Sequence, residues 1–390
     1  MHLVFVSSLV PVAAPKSGYD IANRAIVDGL RLAGHKVSVL GFLQPGAEPA
    51  DPETTRLLGT LQVTNARVGR LRKLLWLKDA VFNGEPVSVA KMHAASVSDI
   101  RAALSGFSPF DALVLNSVQL PAAFLEIFEG YPFVFIAHNV ESRSARENAE
   151  MAQSAVERFL FRREARLLLR VERDLCRKAH HVFALADADR EELGVAFGER
   201  SSTLPLVTSV TPPPGLAPRR FRYDVGLIGS WTWAANRAGL DWFLTEVVPL
   251  LPADFTIAIA GDLGTDARDV PGNVDIVGRV VDARDFVRTC RVVPLASRVG
   301  TGVQLKTIET FELGLPAVAT TNALRGISAI PANCVTADRA DAFAQAVVRL
   351  VEQSRAGEHL DCDGRSFHAM QLHGLVSALA KGLGHLARTG

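Results

Sequence analysis

An α/β fold of two doubly wound parallel-sheet domains in series is predicted by three features of this sequence. Short apolar runs alternate with amphipathic helical stretches through both halves. A proline-rich break, Thr211-Pro212-Pro213-Pro214-Gly215 to Pro218-Arg219-Arg220, separates the halves. The chain has 390 residues, 48% of them apolar, which is too much for one core of ordinary size and enough for two. The domains expected are residues 1–210 and 221–370, with a linker over 211–220. A C-terminal helix over about 371–390 is expected to pack back on the first domain.

Leu3 to Ser7 is the first buried strand. A loop carrying Pro11, Pro15 and Gly18 leads to a helix from Tyr19 to Ala33, whose inward stripe is Ile21, Ala25, Ile26 and Leu30. Gly34 stops it, and Lys36 to Phe42 is the second strand, which makes a βαβ unit and therefore a parallel pair. Strands Ala112 to Leu115, Phe133 to Ala137, Val182 to Ala186 and Thr203 to Leu206 complete the first domain. The second begins with strand Tyr223 to Ile228, helix Ala238 to Leu250, and strands Thr256 to Ala260 and Val274 to Val277. Helix Ala283 to Thr289 and strand Val292 to Leu295 come next, then a glycine loop with its helix, strand Ala317 to Thr320 and an amphipathic helix Ala340 to Glu352. Beyond His368, the residues Leu372, Leu375, Leu379, Leu383 and Leu386 keep helical spacing. Ligands of such sheets bind outside the carboxyl ends of the strands, so the site is expected in a cleft that the two domains face.

Composition excludes several classes. A formal charge of +1 argues against a general nucleic-acid binder. Cys176, Cys290, Cys334 and Cys362 form no CxxC pair and no metal-ligand spacing, and read as reduced thiols of a cytoplasmic protein. The apolar start from Met1 to Val10 lacks the basic residues that precede a signal sequence and reads as the first strand. No apolar run reaches the length of a membrane span.

The richest segment is Arg298-Val299-Gly300-Thr301-Gly302-Val303-Gln304-Leu305-Lys306-Thr307-Ile308-Glu309. It reads as a glycine loop opening a helix of about three turns, closed by Gly314 and followed by a buried strand. Glycines bring backbone N–H groups close to an anion, the helix N-terminus points positive charge at the same place, and Arg298 and Lys306 add full charges. A diphosphate seat is the chemistry that uses all four. Lys306 and Glu309 share a helix face, so a cation for phosphate and a carboxylate for a ribose diol can serve one nucleotide.

These residues resemble the GT-B glycosyltransferases, a fold of two Rossmann-like domains, and in particular the retaining family 4 group (glycosyltransferase group 1). The "RxGxGxxxKxxEAxxxGxPVV" signature is met by Arg298, Gly300, Gly302, Lys306, Glu309, Gly314, Pro316 and Val318. Gly229-Ser230-Trp231-Thr232-Trp233-Ala234-Ala235-Asn236 is similar to that group's "GSMxWxPN" turn, and Gly278-Arg279-Val280 to its "GxV" loop beside the base. In the first half, His138-Asn139-Val140-Glu141 looks like the "HNVE" that ends a strand.

The resemblance implies a hexosyl-type transferase that uses a nucleotide-sugar donor as co-substrate, UDP-linked by expectation, with retention, no metal and no cofactor. The acceptor implied is a lipid-linked or glycan molecule in cell-surface polysaccharide synthesis. Arg298, Lys306 and the amides around Gly300, Thr301, Gly302 and Val303 would stabilise the leaving diphosphate, and Glu309 would bind ribose. His138 would meet the donor sugar. Gly18, Ser230, Gly278 and Arg279 complete the expected donor site, with Trp231 and Trp233 read as packing residues and Asn236 as a helix N-cap. In one respect the chain departs from the group, because Thr301 stands where many members carry a glutamate that contacts the sugar. A hydroxyl makes no charge-assisted bond, so sugar choice is open, and so is a non-catalytic binding subunit. A non-hydrolysing nucleotide-sugar epimerase is the other enzyme class considered, and the loop signature argues against it.

Two basic stretches remain. Arg70, Arg72 and Lys73 beside Trp76 suit an anionic membrane surface, so peripheral attachment to the inner face of the plasma membrane is expected. Arg158, Arg162, Arg163, Arg166, Arg170 and Arg173 suit such a surface or a solvated helix face paired with Glu157, Glu164 and Glu172.

Overall fold

A computed structural model describes residues 1–62, 76–78, 80–215, 217–263 and 270–386. The chain divides into two compact units. One comprises Met1–Leu206 together with Leu372–Gly390, and the other Val207–Gln371. Residues 211–220 belong to the second unit.

The first unit runs β1 (His2–Leu9), α1 (Gly18–Leu32), β2 (Lys36–Leu43), β3 (Thr55–Thr60), α2 (Val97–Phe107), β4 (Ala112–Asn116) and β5 (Phe133–Ala137). It continues through α3 (Glu141–Met151), α4 (Ala155–Lys178), β6 (His181–Ala184) and β7 (Ser201–Thr203). Its described strands form one sheet in the order β3-β2-β1-β4-β5-β6-β7, with every pair parallel. The central strands β4 and β5 are buried along their whole length, which is why they read as continuous apolar runs. β3 escapes a sequence reading because it is a half-exposed edge strand, Thr-Arg-Leu-Leu-Gly-Thr, without apolar alternation.

The second unit runs β8 (Tyr223–Ser230), α5 (Ala234–Trp242), β9 (Ile257–Asp262), β10 (Val274–Gly278), α6 (Ala283–Arg288), β11 (Cys290–Leu295), α7 (Leu305–Glu312), β12 (Ala317–Ala319), β13 (Cys334–Thr336) and α8 (Ala340–Arg355). Its sheet has the order β10-β9-β8-β11-β12-β13. Both sheets therefore reverse direction beside their first strand, at β1/β4 and at β8/β11, and these switch points are where doubly wound sheets take ligands. The helix α9 (Gly364–Gly384) starts in the second unit and ends in the first. There Gly29 of α1 faces Leu375 and Leu379, and the rings of His181 and His385 stack at 5.2 Å.

Several elements differ in detail from the sequence reading. α1 begins at Gly18 because Ser17 and Asp20 form a capping box, Asp20 N to Ser17 Oγ at 3.2 Å and Ser17 N to Asp20 Oδ2 at 3.0 Å. Gly18 is thus the first helical residue and not a loop residue. α5 begins four residues earlier than expected, capped by Trp233, and ends in a π turn at Phe243–Val247. Asn236 is consequently inside the first turn and not the N-cap, and its Nδ2 donates to Ser230 O at 3.1 Å. α7 has 8 residues, little more than two turns. The arginine-rich α4 does not pair with its own glutamates as expected. Glu164 accepts from the backbone amides of Val87 (3.0 Å) and Ser88 (3.3 Å), and Glu172 from those of Glu141 (2.5 Å) and Ser142 (3.3 Å). Glu172 thereby caps α3.

No helix among the described residues is long and apolar enough to cross a membrane. The four cysteines are free thiols, with burial pushing Cys176 and Cys334 up to about 12 and Cys290 to about 11.

The tightest backbone approach is between β8 and β9, where a Cβ on Gly261 would lie 1.8 Å from Gly229 O and φ is +114°. Gly261→Ala is expected to destabilise the second unit by about 2–3 kcal/mol, and differential scanning calorimetry would show its transition lowered by roughly 5–10 °C.

Candidate donor-binding site

The second unit carries the candidate site at its switch point. β11 runs out through Ala296 into Ser297, which is 1% exposed. Ser297 N donates to Thr320 Oγ1 at 3.1 Å, and Thr320 Oγ1 donates to Ser297 O at 2.6 Å, which ties the exit of β11 to that of β12. Ser297 Oγ then accepts from Gln304 Nε2 at 2.5 Å and Asn322 Nδ2 at 2.9 Å. The two ends of the glycine loop are thus anchored to one buried hydroxyl.

Inside the loop, Gly300 (φ +109°) and Gly302 (φ +72°) both occupy backbone space that side chains avoid. Arg325, which the sequence reading passed over, explains the conformation. Its guanidinium donates to Gly300 O, to Gly302 O (3.2 Å) and to Asn322 Oδ1 (2.6 Å). In a trans peptide the N–H points opposite to the C=O, so gathering these two carbonyls turns the amides of Thr301 and Val303 away from Arg325. The same arginine adds a full charge to the loop. Neither its spacing from Lys306 nor its neighbour Gly326 marks it out in the sequence.

α7 starts directly behind this loop. Its N-cap Gln304 makes no side-chain bond to the first-turn amides, having turned its Nε2 to Ser297. Lys306 is half-buried, with Nζ 5.3 Å from the centre of the Trp231 ring. Burial pulls its pKa down to about 8. Trp231 itself is 2% exposed and its Nε1 donates to Ala260 O at 2.8 Å, so it packs as expected and also carries the lysine. One turn along α7, Glu309 Oε1 accepts from Arg284 Nε at 2.9 Å, and Arg284 Nη2 reaches Thr208 Oγ1 at 3.0 Å.

Other expected residues are placed as follows. Arg298 is exposed, donates to Asp338 O at 2.8 Å and lies 4.8 Å over Trp242, so it is not grouped with Lys306. Thr301 is buried at 4% exposure. Ser230 ends β8 and is exposed, one residue before the ring that carries Lys306. Gly278 ends β10, and the exposed Arg279 after it pairs with Asp262. Gly300, Thr301, Gly302, Val303, Lys306 and Ser230 therefore gather around the β8/β11 switch point, while Arg279 sits at the end of the outer strand β10.

Residues 222–353 match the family model of glycosyl transferases group 1. That match lies wholly within the second unit. A search of curated protein sequences returns no match for the chain. Solved structures resemble it over nearly its whole length. Sucrose-phosphate synthase from Thermosynechococcus elongatus has a TM-score of 0.67 at 16% identity, covering 100% of this chain and 98% of that one. HepE of Anabaena, solved with UDP, has 0.62 at 15% identity, covering 98% and 100%. TarM has 0.61 at 12% identity, covering 98% of each chain. The fold is GT-B, and the segment that matches the family model lies in its second Rossmann-like domain.

The first unit holds His138 at the carboxyl end of β5, 6% exposed. Burial lowers its pKa to about 4, so the ring is neutral at physiological pH. Its Nε2 is 2.8 Å from Asn116 Oδ1 and its ring lies 5.1 Å from that of Tyr19. Glu141 opens α3, accepts from Gln119 Nε2 at 3.4 Å and is raised in pKa by burial. The helix it opens is capped by Glu172, which burial raises to about 7. Of the basic stretch near the membrane candidate, Arg70, Arg72 and Lys73 lie outside the described residues. Trp76 is half-buried, with Lys91 Nζ 4.6 Å over its ring.

A diphosphate held at this loop would prefer the ammonium form of Lys306, so its binding would take up a proton above pH 8. UDP affinity is expected to hold steady up to about pH 8 and to fall toward tenfold per further unit. Isothermal titration calorimetry between pH 6.5 and 9.5 checks this, and a flat profile would remove Lys306 from the seat.

Proposed function

We propose that this chain transfers a sugar, hexosyl in type, from a UDP-sugar to a lipid-linked or glycan acceptor in cell-surface polysaccharide synthesis, with retention and without metal or cofactor. The observation that carries the reading is the loop from Gly300 to Val303, its carbonyls gathered by Arg325, standing at the start of α7 beside the half-buried Lys306. When the glycosidic bond to a nucleoside diphosphate breaks, negative charge grows on phosphate while the sugar becomes oxocarbenium-like. Fixed amides and a partly desolvated ammonium oppose that charge without reorganising. Glu309, held by Arg284, suits the ribose hydroxyls, and Arg298 reaches a phosphate only by leaving Asp338. The structures solved for the similar HepE contain UDP and UDP-glucose, and one of Staphylococcus aureus TarM contains UDP with α-GlcNAc-glycerol, which supports UDP and a hydroxyl-bearing acceptor here.

A thermal-shift panel of UDP, GDP, TDP and ADP tests the donor, because a ligand of the native state raises its apparent stability. UDP is expected to give the largest rise, and no rise with any of the four would end this reading. Glu309→Ala is expected to abolish donor-dependent transfer, and unchanged release of UDP from UDP-glucose would refute the role of that carboxylate. Thr301 favours one second reading, a subunit that binds the nucleotide sugar and does not turn it over. Binding of UDP-glucose with no UDP released in the presence of acceptors would select it. The same reading takes the protein to act in the cytoplasm, at the membrane surface through Arg70, Arg72 and Lys73. Neutralising these three is expected to weaken cosedimentation with anionic vesicles, and unaltered cosedimentation would count against it.

A further inference from the structure

In the first unit, the carboxyl ends of β1, β4 and β5 and the first half of α1 enclose a buried polar cluster whose hydrogen-bond directions can be assigned from one end to the other. The fixed starting point is the main-chain carbonyl of Leu9, which can only accept. It takes Asn23 Nδ2 at 3.0 Å, so Asn23 Oδ1 faces the other way, toward Asn116. That oxygen can only accept, and what meets it at 2.9 Å is therefore Asn116 Nδ2, which also lies 3.1 Å from Ser7 Oγ. The remaining amide atom, Asn116 Oδ1, is thereby directed at the imidazole, 2.8 Å from His138 Nε2. An acceptor at that distance requires a proton on Nε2, and a neutral ring with its proton on Nε2 has a lone pair on Nδ1. Ser7, Asn23 and Asn116 are each 0% exposed, so solvent offers no competing partner.

The ring is held from a second side as well. Tyr19 lies against it, and the Tyr19 hydroxyl is 3.0 Å from both Ser7 Oγ and Ser117 Oγ. Ser117 has φ 61°, the one non-glycine residue with positive φ among those described, and such strain persists only where the surroundings impose it. Tyr19 is a titratable side chain in ring contact with His138, and burial keeps the imidazole neutral.

We propose that Asn116, oriented by Asn23, is a positioning residue that locks His138 as the neutral Nε2–H tautomer, so that the ring serves the reaction as an imidazole whose Nδ1 accepts and never donates. A hydroxyl-rich substrate presents donors to such a nitrogen, whereas a phosphate presents none. This rests on the reading of His138 as a residue of the transfer site. The relay itself rests only on the buried amides.

The test is 15N NMR of the imidazoles in the full chain, with His138 assigned by comparison with His138→Gln, together with UDP release from UDP-glucose. Wild-type His138 is expected to show a protonated Nε2 and an unprotonated Nδ1, unchanged from pH 8 to pH 5.5. Asn116→Asp replaces a neutral acceptor by a carboxylate, which favours the imidazolium and raises the pKa of His138 toward neutral. UDP release by this variant is then expected to fall several-fold, up to about tenfold, from pH 8 to pH 6 as the accepting lone pair is protonated. The wild type shows no such limb. Asn116→Leu keeps the volume without the acceptor and is expected to give a mixture of tautomers. A protonated Nδ1 in the wild type, or a titration of His138 that Asn116→Asp leaves in place, overturns the proposal. The wild-type spectrum decides alone if the variants fail to fold. A locked tautomer in a protein that releases no UDP would leave the relay standing and refute the transferase reading instead.

Discussion

Lys306→Met is expected to lower kcat/KM for UDP-glucose by about 100- to 1,000-fold, the cost of removing one fixed donor from a developing negative charge. The same substitution is expected to leave the thermal midpoint of the second unit unchanged or higher. The reason is the direction of the pKa shift. Lys306 titrates near 8 in the folded chain and binds its proton more tightly when unfolded, so the ammonium form opposes folding at every pH below 8. That penalty fades as pH rises through 8 toward the value of an unfolded lysine. A methionine fills the same volume against Trp231 without the desolvation cost. Steady-state kinetics and calorimetry on one variant thus separate chemistry from folding. Loss of activity accompanied by a lowered midpoint would mean that the lysine is a structural residue.

Trp231→Ala is expected to cost the second unit about 3–5 kcal/mol, as deletion of a fully buried aromatic does. Trp231 belongs to the core formed by β8, α5, β9 and α8, and its Nε1 closes a bond to Ala260 O. Guanidinium unfolding should show the loss as a lower midpoint with little change of slope. Trp231→Phe keeps a ring under Lys306 and is expected to recover most of the stability and most of the UDP affinity. Equal UDP affinity in the Ala and Phe variants would show that the ring has no part in placing the lysine.

The sequence carried the alternation of strands and helices because the central strands are buried on both faces and read as unbroken apolar runs, Phe133 to Ala137 above all. It did not carry β3 or β13, which are short or half-exposed and make their bonds through backbone rather than side-chain pattern. The glycine loop was legible for the opposite reason, since Gly300 and Gly302 are required by local backbone geometry that leaves a mark at the positions themselves. Arg325 and Asn116 left none. Each acts on a partner distant in the chain, Arg325 on Gly300 and Gly302 and Asn116 on His138, and only the folded register of neighbouring strands makes those pairs. Arg298 shows the converse. A charge beside a glycine loop looks like part of the seat, yet its long side chain lies over Trp242 and reaches Asp338.

The path of the chain through its two units has a consequence for biosynthesis. Val207–Gln371 is a continuous segment nested inside a unit whose last piece is Leu372–Gly390. During translation the nested unit emerges whole and can mature while its host still lacks the helix that covers Gly29 and stacks His385 on His181. A ribosome stalled before residue 372 would therefore display a complete second unit tethered to a first unit that still waits for its later segment.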